Sequence, residues 1–195
     1  MRRRYTMRAR AAQLLERRDA ILTAAYDLFM VTPFDQVSLV QVAQRAGVGT
    51  KTVLRAFGSK EALLAECARW GTSRESMIRA VPPGDVRAIV RTLAARYEAT
   101  MDAMRRYIDL EDRMPMIRGG LDRARTSHRD WLAAAFAPWL PSRSVTRARR
   151  LAAVFGATEI YVWWSWRRRL GMSPRLAEAA MLEMLEALVA RWRRD

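Results

Sequence analysis

The side chains best suited to a chemical task lie in one short stretch of the sequence and comprise Thr50, Lys51, Thr52 and Arg55. Hydroxyl, ammonium and guanidinium groups donate hydrogen bonds to phosphate oxygens and to the edges of bases. All of them fall outside the apolar face that Val53 would share with the residues one turn away. The stretch therefore predicts a polar and cationic helix surface that contacts nucleic acid.

Groups for covalent or metal chemistry are scarce by comparison. His128 is the only histidine and Cys67 the only cysteine, so a metal site or an acyl-transfer triad lacks its second histidine. The sequence contains no phosphate-binding glycine loop, paired cysteine ligands or nucleophile elbow. We therefore expect no enzyme, no catalytic residue, no metal and no cofactor. A single cysteine also forms no intrachain disulfide, which fits a reducing cytoplasm.

Two short helices joined by a turn are predicted to position the cationic surface. Ser38 has the character of an N-cap, and Gln41 three residues later completes a capping box. The first apolar face consists of Leu39, Val42, Ala43 and Ala46. Gly47 follows where helices commonly end in a left-handed residue. A second helix then begins near Thr50 and ends at Gly58. This is a helix-turn-helix plan, in which the second helix enters the DNA major groove.

Ser38 to Lys60, with the helix before it, resembles the DNA-binding domain of the TetR-type transcriptional regulators. The matching residues are Ala43, Ala46-Gly47-Val48, Thr52, Phe57, Ser59-Lys60-Glu61-Ala62-Leu63-Leu64, and upstream Ile21-Leu22, Ala24-Ala25 and Leu28-Phe29. They cover roughly the first third of the chain. The resemblance implies an all-α fold of about nine helices, with an N-terminal three-helix helix-turn-helix DNA-binding domain and a larger C-terminal helical ligand and dimerisation domain.

The resemblance also implies individual roles in DNA binding. It places Ser38, Thr52 and Lys60 on phosphates, and Thr50, Lys51 and Arg55 on base edges or flanking phosphates. The sequence departs from the family pattern at four positions, where a tyrosine, a histidine, a serine and a glycine are common and this chain has Leu54, Ala56, Gly49 and Pro33.

The charge balance favours a polyanionic partner. The 195 residues include 35 Lys and Arg against 20 Asp and Glu, for a formal net charge of +15. Nucleic acid fits this excess better than an anionic membrane surface. Only Lys51 and Lys60 are lysines, so a genome that favours arginine codons accounts for part of the charge. Hydrophobic residues make up 51% of the chain, which excludes wholesale disorder.

We expect a soluble cytoplasmic protein without membrane contact. No apolar run follows Arg2-Arg3-Arg4, so a secretory signal is not predicted. The longest run without Lys, Arg or Asp, Leu151 to Trp166, is short for a membrane span and contains Glu159.

The first predicted domain covers residues 1–70. Met1 to Arg10 forms a basic arm, which either follows a DNA groove or is a solvated terminus. A first helix from about Ala11 to Val31 turns an apolar face inward, and a fourth helix starts at Ser59.

The second predicted domain covers residues 71–195 and follows a break at Pro82-Pro83-Gly84. Asp85 caps its first helix, and Gly119-Gly120 opens the next one. One long helix is predicted from Ser144 to about Leu170, and a last helix from Ser173 and Pro174 to about Trp192.

The last two predicted helices are apolar over much of their circumference, which indicates burial on several sides. Ala152, Ala153, Gly156 and Ala157 would permit close approach of another helix. We therefore expect a homodimer joined by a four-helix bundle, as the resemblance also implies. The alternative is a large monomeric core.

A ligand cavity is predicted in the second domain because aromatic and methionine residues coincide there with two isolated polar groups. The candidates are Tyr97, Met101, Met104, His128, Trp131, Phe155, Glu159 and Trp163. Plain core packing is the competing interpretation of the apolar members. His128 is either a core histidine or a ligand contact, and Glu159 either pairs with an arginine or lines the cavity.

These observations predict a dimeric, sequence-specific DNA-binding regulator. It would repress from a palindromic operator on double-stranded DNA and be released by a small, mostly apolar or aromatic effector. The first alternative is a helix-turn-helix regulator with a filled core, controlled by a protein partner. A second alternative is an interaction protein with a purely structural helix-turn-helix, which would not need Lys51, Arg55 and Lys60 to be polar.

Overall fold

The computed structural model describes residues 2–78, 80–142 and 144–194, with the backbone alone for residues 2–11 and 72–78. Within those ranges the chain is helical and contains no strand, so the predicted all-α class is confirmed. The helices are α1 (Arg2–Val31), α2 (Leu39–Arg45), α3 (Thr50–Phe57), α4 (Lys60–Ile78), α5 (Val86–Ile108), α6 (Pro115–Ala135), α7 (Val145–Ala157), α8 (Ile160–Arg168) and α9 (Pro174–Trp192). Short 3-10 turns occupy Phe34–Gln36 and Ala137–Trp139.

The chain divides into two compact units. The N-terminal unit contains residues 1–74 and 110–120, and the C-terminal unit contains residues 75–109 and 121–195. None of the helices in the described ranges combines the length and apolar character needed to cross a bilayer.

The core of the N-terminal unit is small and joins the first four helices. Ile21 from α1, Val42 from α2, Val53 from α3 and Leu63 from α4 are each almost fully excluded from solvent. Burying an aliphatic side chain of this size is worth about 1.5–3 kcal/mol. These contacts fix the orientation of α3, whose opposite face is left to solvent.

The first helix is longer than the sequence analysis predicted, because it begins at Arg2 and not near Ala11. The segment expected to be a separate basic arm is therefore helical. Its alanine, arginine and methionine residues have high helix propensity, which explains the extension. The arginine side chains of this segment lie outside the described residues.

The core of the C-terminal unit is larger and richer in bulky side chains. Leu93, Phe136, Trp163, Met181 and Leu185 are almost fully excluded from solvent there. They come from α5, α8 and α9, except for Phe136, which directly follows α6. The predicted caps at Asp85, Ser144 and Ser173 are present, each side chain accepting a backbone hydrogen bond from the residue three positions later.

The prediction of one long helix from Ser144 to Leu170 was wrong, because the chain breaks between α7 and α8 at Thr158 and Glu159. Glu159 has an extended backbone, with φ −69° and ψ 136°. The Thr158 hydroxyl donates to the carbonyl of Val154 at 2.7 Å and so ends α7 with a side-chain bond. Apolar periodicity continues across the break, which is why the sequence pattern did not reveal it.

The predicted helix start at Gly119-Gly120 was also wrong. Helix α6 begins at Pro115 and passes through both glycines. Proline is favoured in the first helical turn because its missing N–H needs no partner there. This start signal outweighs the low helix propensity of the glycine pair.

Candidate nucleic-acid interface and effector cavity

The entry to α2 is fixed by the predicted capping box. The backbone N–H of Gln41 donates to Ser38 Oγ at 3.2 Å, and the backbone N–H of Ser38 donates to Gln41 Oε1 at 2.7 Å. Two backbone donors that would otherwise lack a helical acceptor are thus satisfied. Ser38 remains exposed at the start of α2, with its hydroxyl already engaged in the cap.

The turn between α2 and α3 depends on the left-handed backbone of Gly47, whose φ is +66°. The Gly47 N–H donates to the carbonyl of Gln44 at 3.2 Å, and the Val48 N–H donates to that of Ala43 at 3.0 Å. This pair of bonds is a Schellman motif. It ends α2 abruptly and directs the chain into α3 three residues later.

Helix α3 presents one buried and one solvent-facing side. Val53 and Phe57 point into the core. Lys51 and Arg55 are exposed, and Thr50 and Thr52 are half-buried at the first turn. The four polar residues predicted on the recognition helix therefore lie on or beside its outer surface.

Two further exposed residues of α3 lie among the polar side chains. They are Leu54, which is 44% exposed, and Ala56. The sequence analysis identified both as departures from the family pattern. An exposed leucine and alanine cannot donate hydrogen bonds, so hydrogen-bonded contacts from this helix depend on its threonine, lysine and arginine side chains.

Arg18 of α1 holds the C-terminal end of α3 from behind. Its Nη1 donates to the carbonyl of Ala56 at 3.1 Å, and its guanidinium lies 4.4 Å from the centre of the Phe57 ring. Its Nη2 also pairs with Glu66 Oε2 of α4 at 3.0 Å. One arginine therefore joins three helices and satisfies an orphan carbonyl at the end of α3. No local sequence pattern indicates this role for Arg18, which lies 38 residues away from Ala56.

Lys60 has internal partners besides its predicted phosphate role. Its Nζ donates to the carbonyls of Phe34 and Val37, both at 2.9 Å, and lies 4.3 Å from the centre of the Phe34 ring. An ammonium group has three N–H donors, so these bonds leave one for another acceptor. Lys60 thus fixes the loop between α1 and α2 and stays half-buried at the start of α4.

A small cavity of about 90 Å³ lies within the C-terminal unit. Five of the eight predicted ligand residues line it, namely Tyr97, Met104, His128, Phe155 and Glu159. The structure therefore brings together residues from α5, α6 and α7 with the α7–α8 break. A volume of about 90 Å³ holds roughly three waters, since each occupies about 30 Å³ in the liquid.

The other three predicted ligand residues lie elsewhere. Met101 and Trp163 are buried in the core, 3% and 0% exposed. Trp131 stacks on the His128 ring with a centroid distance of 6.0 Å and an interplanar angle of 16°, behind the residue that lines the cavity. Helical periodicity places all three on inward faces but does not say which of them border empty space.

The cavity also has lining residues that the sequence analysis missed. They are Arg96, Ile108, Leu121, Ala124, Arg125, Ile160 and Tyr161. Arg96 directly precedes Tyr97, and Arg125 lies three residues before His128. In the sequence both look like ordinary solvent-exposed arginines. Two basic groups and one acidic group therefore share a mostly apolar wall.

Thr158 is a buried polar residue at the centre of the cavity's hydrogen bonds. The hydroxyl of Tyr97 donates to its backbone carbonyl. His128 Nε2 lies 3.2 Å from the Thr158 hydroxyl oxygen, which is already committed as a donor to Val154. The sole histidine is thus hydrogen bonded to the point where α7 ends, and it borders the cavity at the same time.

Glu159 occupies the N-cap of α8 without a side-chain cap bond. Burial raises the pKa of its carboxyl, while the backbone N–H of Ile160 and the charge of Arg125 oppose that rise. The carboxyl therefore gains a proton more readily than an exposed glutamate. It lies at the cavity wall, as one of the two sequence interpretations proposed.

A second glutamate of this unit, Glu98, has the opposite environment. Its carboxylate accepts from Arg167 Nε at 2.7 Å and from Arg167 Nη2 at 3.2 Å. It also accepts from Trp163 Nε1 at 2.8 Å. The Arg167 hydrogen bonds hold the pKa of Glu98 below its ordinary value, although partial burial opposes the shift. This pair anchors α8 to α5.

Cys67 lies in the core of the N-terminal unit, 3% exposed. Burial raises the pKa of its thiol to about 12, and the charge of Glu66 adds to the effect. The thiolate form, which is the nucleophile, is therefore suppressed at neutral pH.

Comparison with known proteins gives a family match for the N-terminal residues and a similarity of fold for most of the chain. Residues 21–67 match the family described as bacterial regulatory proteins, tetR family. No curated protein sequence matches the chain.

Three solved structures illustrate the similarity. A TetR-family transcriptional regulator from Streptomyces coelicolor aligns with a TM-score of 0.73 at 15% identity, over 91% of this chain and 82% of that one. A transcriptional regulator from Rhodococcus sp. RHA1 aligns with a TM-score of 0.70 at 17% identity, over 89% and 96%. A TetR transcriptional regulator from Rhodococcus sp. RHA1 aligns with a TM-score of 0.58 at 22% identity, over 90% and 97%. At these identities the likeness establishes the fold.

Proposed function

The chain carries the N-terminal domain of the TetR family of bacterial regulatory proteins, and from this premise we propose that it is a dimeric transcriptional repressor released from its operator by a small ligand. The observation that carries the proposal is the geometry of α3. Its cationic face points to solvent, and its opposite side is fixed by the core and by Arg18. Such a helix is presented rigidly enough to read base edges in a major groove.

The proposal assigns different tasks to the polar residues of the interface. Lys51 and Arg55 are exposed on α3 and contact base edges or flanking phosphates. Ser38, Thr52 and Lys60 contact phosphates at the ends of the helices, with Thr50 beside them at the start of α3. A phosphate contact changes affinity for all sequences alike, whereas a base contact changes preference at one position.

A competition assay with operator variants tests these roles. The operator is first selected from random duplexes, and we expect a palindrome with half-sites about 34–36 Å apart. Lys51→Ala should relax the preference at one base position, and Lys60→Ala should weaken all duplexes equally. Arg149→Ala, which removes one exposed charge from α7, is the charge-matched control. Equal effects of Lys51→Ala and Lys60→Ala across the panel would contradict the assignment.

Because Lys60 also holds the loop before α2, its variant needs a stability control. Its Nζ bonds to Phe34 and Val37 predict a lower melting temperature in Lys60→Ala without DNA. Lys60→Met keeps part of the aliphatic stem and loses the charge. A Lys60→Met variant that binds every duplex as well as the unmodified protein would remove Lys60 from the interface.

Dimerisation through the last helices is part of the proposal. Exposed apolar residues on α9 support it, since Leu176 is 55% and Met184 40% exposed. On α7, Gly156 is exposed, and a Cβ added there would meet nothing within 4 Å. A bulky residue is therefore tolerated by the single chain and conflicts only with a second helix. We expect Gly156→Leu to yield monomers in light scattering, whereas the control variant Gly156→Ala should remain dimeric. If the unmodified protein is monomeric at micromolar concentration, the proposed dimer is ruled out.

Release by a ligand is supported by the cavity and its mixed lining. His128, Glu159 and two arginines give an apolar space a few polar points, which is the usual anatomy of a ligand site. The cavity lies beside the α7–α8 break, so a molecule that fills it would change the contacts of Thr158. By linkage, a ligand that weakens DNA binding must itself bind less tightly to the DNA-bound form. It should also raise the melting temperature.

A second candidate is a regulator without a small ligand, and the volume of the cavity favours it. Typical ligand pockets hold about 300–1,000 Å³, whereas this one has about 90 Å³. In this candidate side chains fill the core and a protein partner controls DNA binding. A thermal-shift screen of a lipophilic compound library distinguishes the two candidates. A compound that stabilises the protein and weakens operator binding supports control by a ligand. A screen that finds no stabilising compound supports the second candidate.

A further inference from the structure

An open groove between α6 and α7 borders the small cavity inside the C-terminal unit. Its volume is about 710 Å³, and it is lined by α6 residues near position 125 and by α7 residues from Ser144 onward. Arg125 and Phe155 line both the groove and the cavity. These two side chains therefore lie where the two spaces adjoin.

Three guanidinium groups line this groove, from Arg125, Arg129 and Arg147. No aspartate or glutamate stands among its lining residues in the described part of the chain. Arg125 pairs with Asp122 at 3.2 Å, and the Arg129 Nε lies 3.8 Å from Asp130. Both acids are more than 60% exposed at their side chains, and exposed pairs of this kind are worth about 0–1 kcal/mol. With these two aspartates counted, the three arginines still leave a formal charge of +1 at the groove.

The floor of the groove is apolar. Ala148, Leu151, Ala152 and Phe155 line it along successive turns of α7. Phe155 is half-buried and packs against the His128 ring at a centroid distance of 5.5 Å. An apolar floor beneath cationic side chains matches a molecule that has an apolar body and one anionic end.

We propose that the α6–α7 groove binds a small organic anion, with its charged group on Arg129 and Arg147 and its apolar body against Phe155. A rotation of Phe155 then joins the groove to the cavity. This inference rests on the ligand-controlled function proposed above and names the class of effector. The groove's 710 Å³ falls within the range of ligand pockets, which the cavity alone does not reach.

The position of Glu159 determines how an anionic ligand would be oriented between the groove and the cavity. Its carboxyl lines the inner cavity but not the groove. The cavity has one carboxyl beside two arginines, whereas the groove has three arginines and no acid among its described lining residues, so an anionic group is held more strongly at the outer end. The ligand enters with its apolar end first, and its charge stays at the mouth. Guanidinium groups suit this task because they bind carboxylate or sulfonate oxygens with paired hydrogen bonds.

Two dyes with the same apolar body test the charge preference on the full-length protein. One is 8-anilinonaphthalene-1-sulfonate, and the other is neutral N-phenyl-1-naphthylamine, which lacks the sulfonate. Fluorescence titration should give the anionic dye at least about tenfold tighter binding, or about 1.4 kcal/mol. Equal affinities, or tighter binding of the neutral dye, would overturn the proposal.

Matched arginine variants locate the charge recognition. Arg129→Ala should weaken the anionic dye about tenfold and leave the neutral dye unchanged, while Arg129→Lys should retain part of the preference. Arg147→Ala should act like Arg129→Ala; because Arg147 Nη1 also donates to the carbonyl of Pro141, its melting temperature must be measured in parallel. Arg149→Ala, exposed on α7 and absent from the groove, is the control. Equal losses in Arg149→Ala and Arg129→Ala would show general attraction to a basic protein and overturn the site.

Phe155 variants test the connection between the two spaces. Phe155→Ala should speed dye association in stopped-flow fluorescence, because it removes a side chain that lines both spaces, and Phe155→Trp should slow it. Unchanged association in both variants would refute the passage. If a second copy of the chain covers the groove instead, Arg129→Ala will alter the oligomeric mass in light scattering, which would also refute the proposal.

Direct dye binding keeps this inference separable from the proposed function. If the anionic dye binds through Arg129 but does not release operator DNA, the site stands and the ligand-controlled repression fails. If another compound releases DNA and its affinity is unaffected by Arg129→Ala, the repression stands and the anion site fails.

Discussion

The N-terminal unit presents its candidate functional side chains to solvent on one helix, whereas the C-terminal unit gathers its own around a partly buried cavity. Lys51 and Arg55 face solvent on α3, and the contacts that fix this helix lie behind it. In the C-terminal unit, Glu159 and His128 are half-buried and line a small cavity at a break between two helices. A recognition surface on one helix needs a rigid support, while a cavity between several helices needs a place where the packing can change.

The two units also differ in what their polar groups do. Arg18 and Lys60 each satisfy backbone carbonyls and lie against an aromatic ring, so they fix the N-terminal unit in one arrangement. In the C-terminal unit, Glu98 is held ionised by Arg167 while burial shifts Glu159 toward its neutral form. Cationic side chains thus fix the packing of the N-terminal unit. The C-terminal unit instead contains two carboxyls whose pKa values are shifted in opposite directions.

Trp163→Ala should have the largest effect, because it creates a cavity in the larger core. Trp163 is 0% exposed and donates to Glu98. Large-to-small changes at such sites cost about 3–5 kcal/mol. Urea unfolding followed by circular dichroism measures the loss, and Leu170→Ala, at a residue that is 68% exposed, should change stability by less than about 0.5 kcal/mol. Similar losses in both variants would contradict the position of Trp163 in the core.

Glu98→Gln should cost about 2 kcal/mol near neutral pH, the usual worth of hydrogen bonds to a charged group. Because the pKa of Glu98 is lowered in the folded protein, its stabilisation is present above the ordinary carboxyl pKa and is lost as pH falls through the lowered value. Unfolding curves of the two proteins should therefore converge in acid. A difference that persists at low pH would assign the loss to packing and not to the ion pair.

Gly47→Ala should destabilise the N-terminal unit by about 1–2 kcal/mol, because a Cβ is strained in the left-handed region. Its Cβ would meet nothing within 4 Å, so the cost is conformational and not steric. Gly49 has an ordinary φ of −78° at the N-cap of α3, and Gly49→Ser should instead stabilise by a few tenths of a kcal/mol. Hydrogen exchange of the α2 and α3 amides measures the stability change in each variant. Equal changes in Gly47→Ala and Gly49→Ser would contradict the turn geometry.

Glu159→Gln should have the smallest effect and the opposite sign to Glu98→Gln. The pKa of Glu159 is raised by burial, so its ionised form destabilises the folded protein as pH rises from the ordinary carboxyl value through the raised pKa. Glutamine removes this penalty and should raise the melting temperature at neutral pH, with no gain in acid. Arg96, Arg125 and His128 share the cavity wall; a loss of stability at neutral pH would mean that their attraction outweighs burial.

Local sequence signals determined most of the helix-turn-helix. The capping box at Ser38, the glycine at position 47 and the apolar spacing of α2 and α3 act over a few residues, so the chain reveals them directly. The same holds for the caps at Asp85, Ser144 and Ser173. The outward direction of Lys51 and Arg55 followed from the 3.6-residue period of a helix.

Only the tertiary structure decided which distant groups meet. Arg18 lies against the end of α3, and Glu98 lies against Arg167, although 38 and 69 residues separate the partners in sequence. The break at Thr158 and Glu159 also escaped the sequence pattern, because hydrophobic periodicity records which faces are buried and not where a buried helix is interrupted. For the same reason Met101 and Trp163 could not be distinguished from the cavity residues: empty space depends on how neighbouring helices pack, which no single helix encodes.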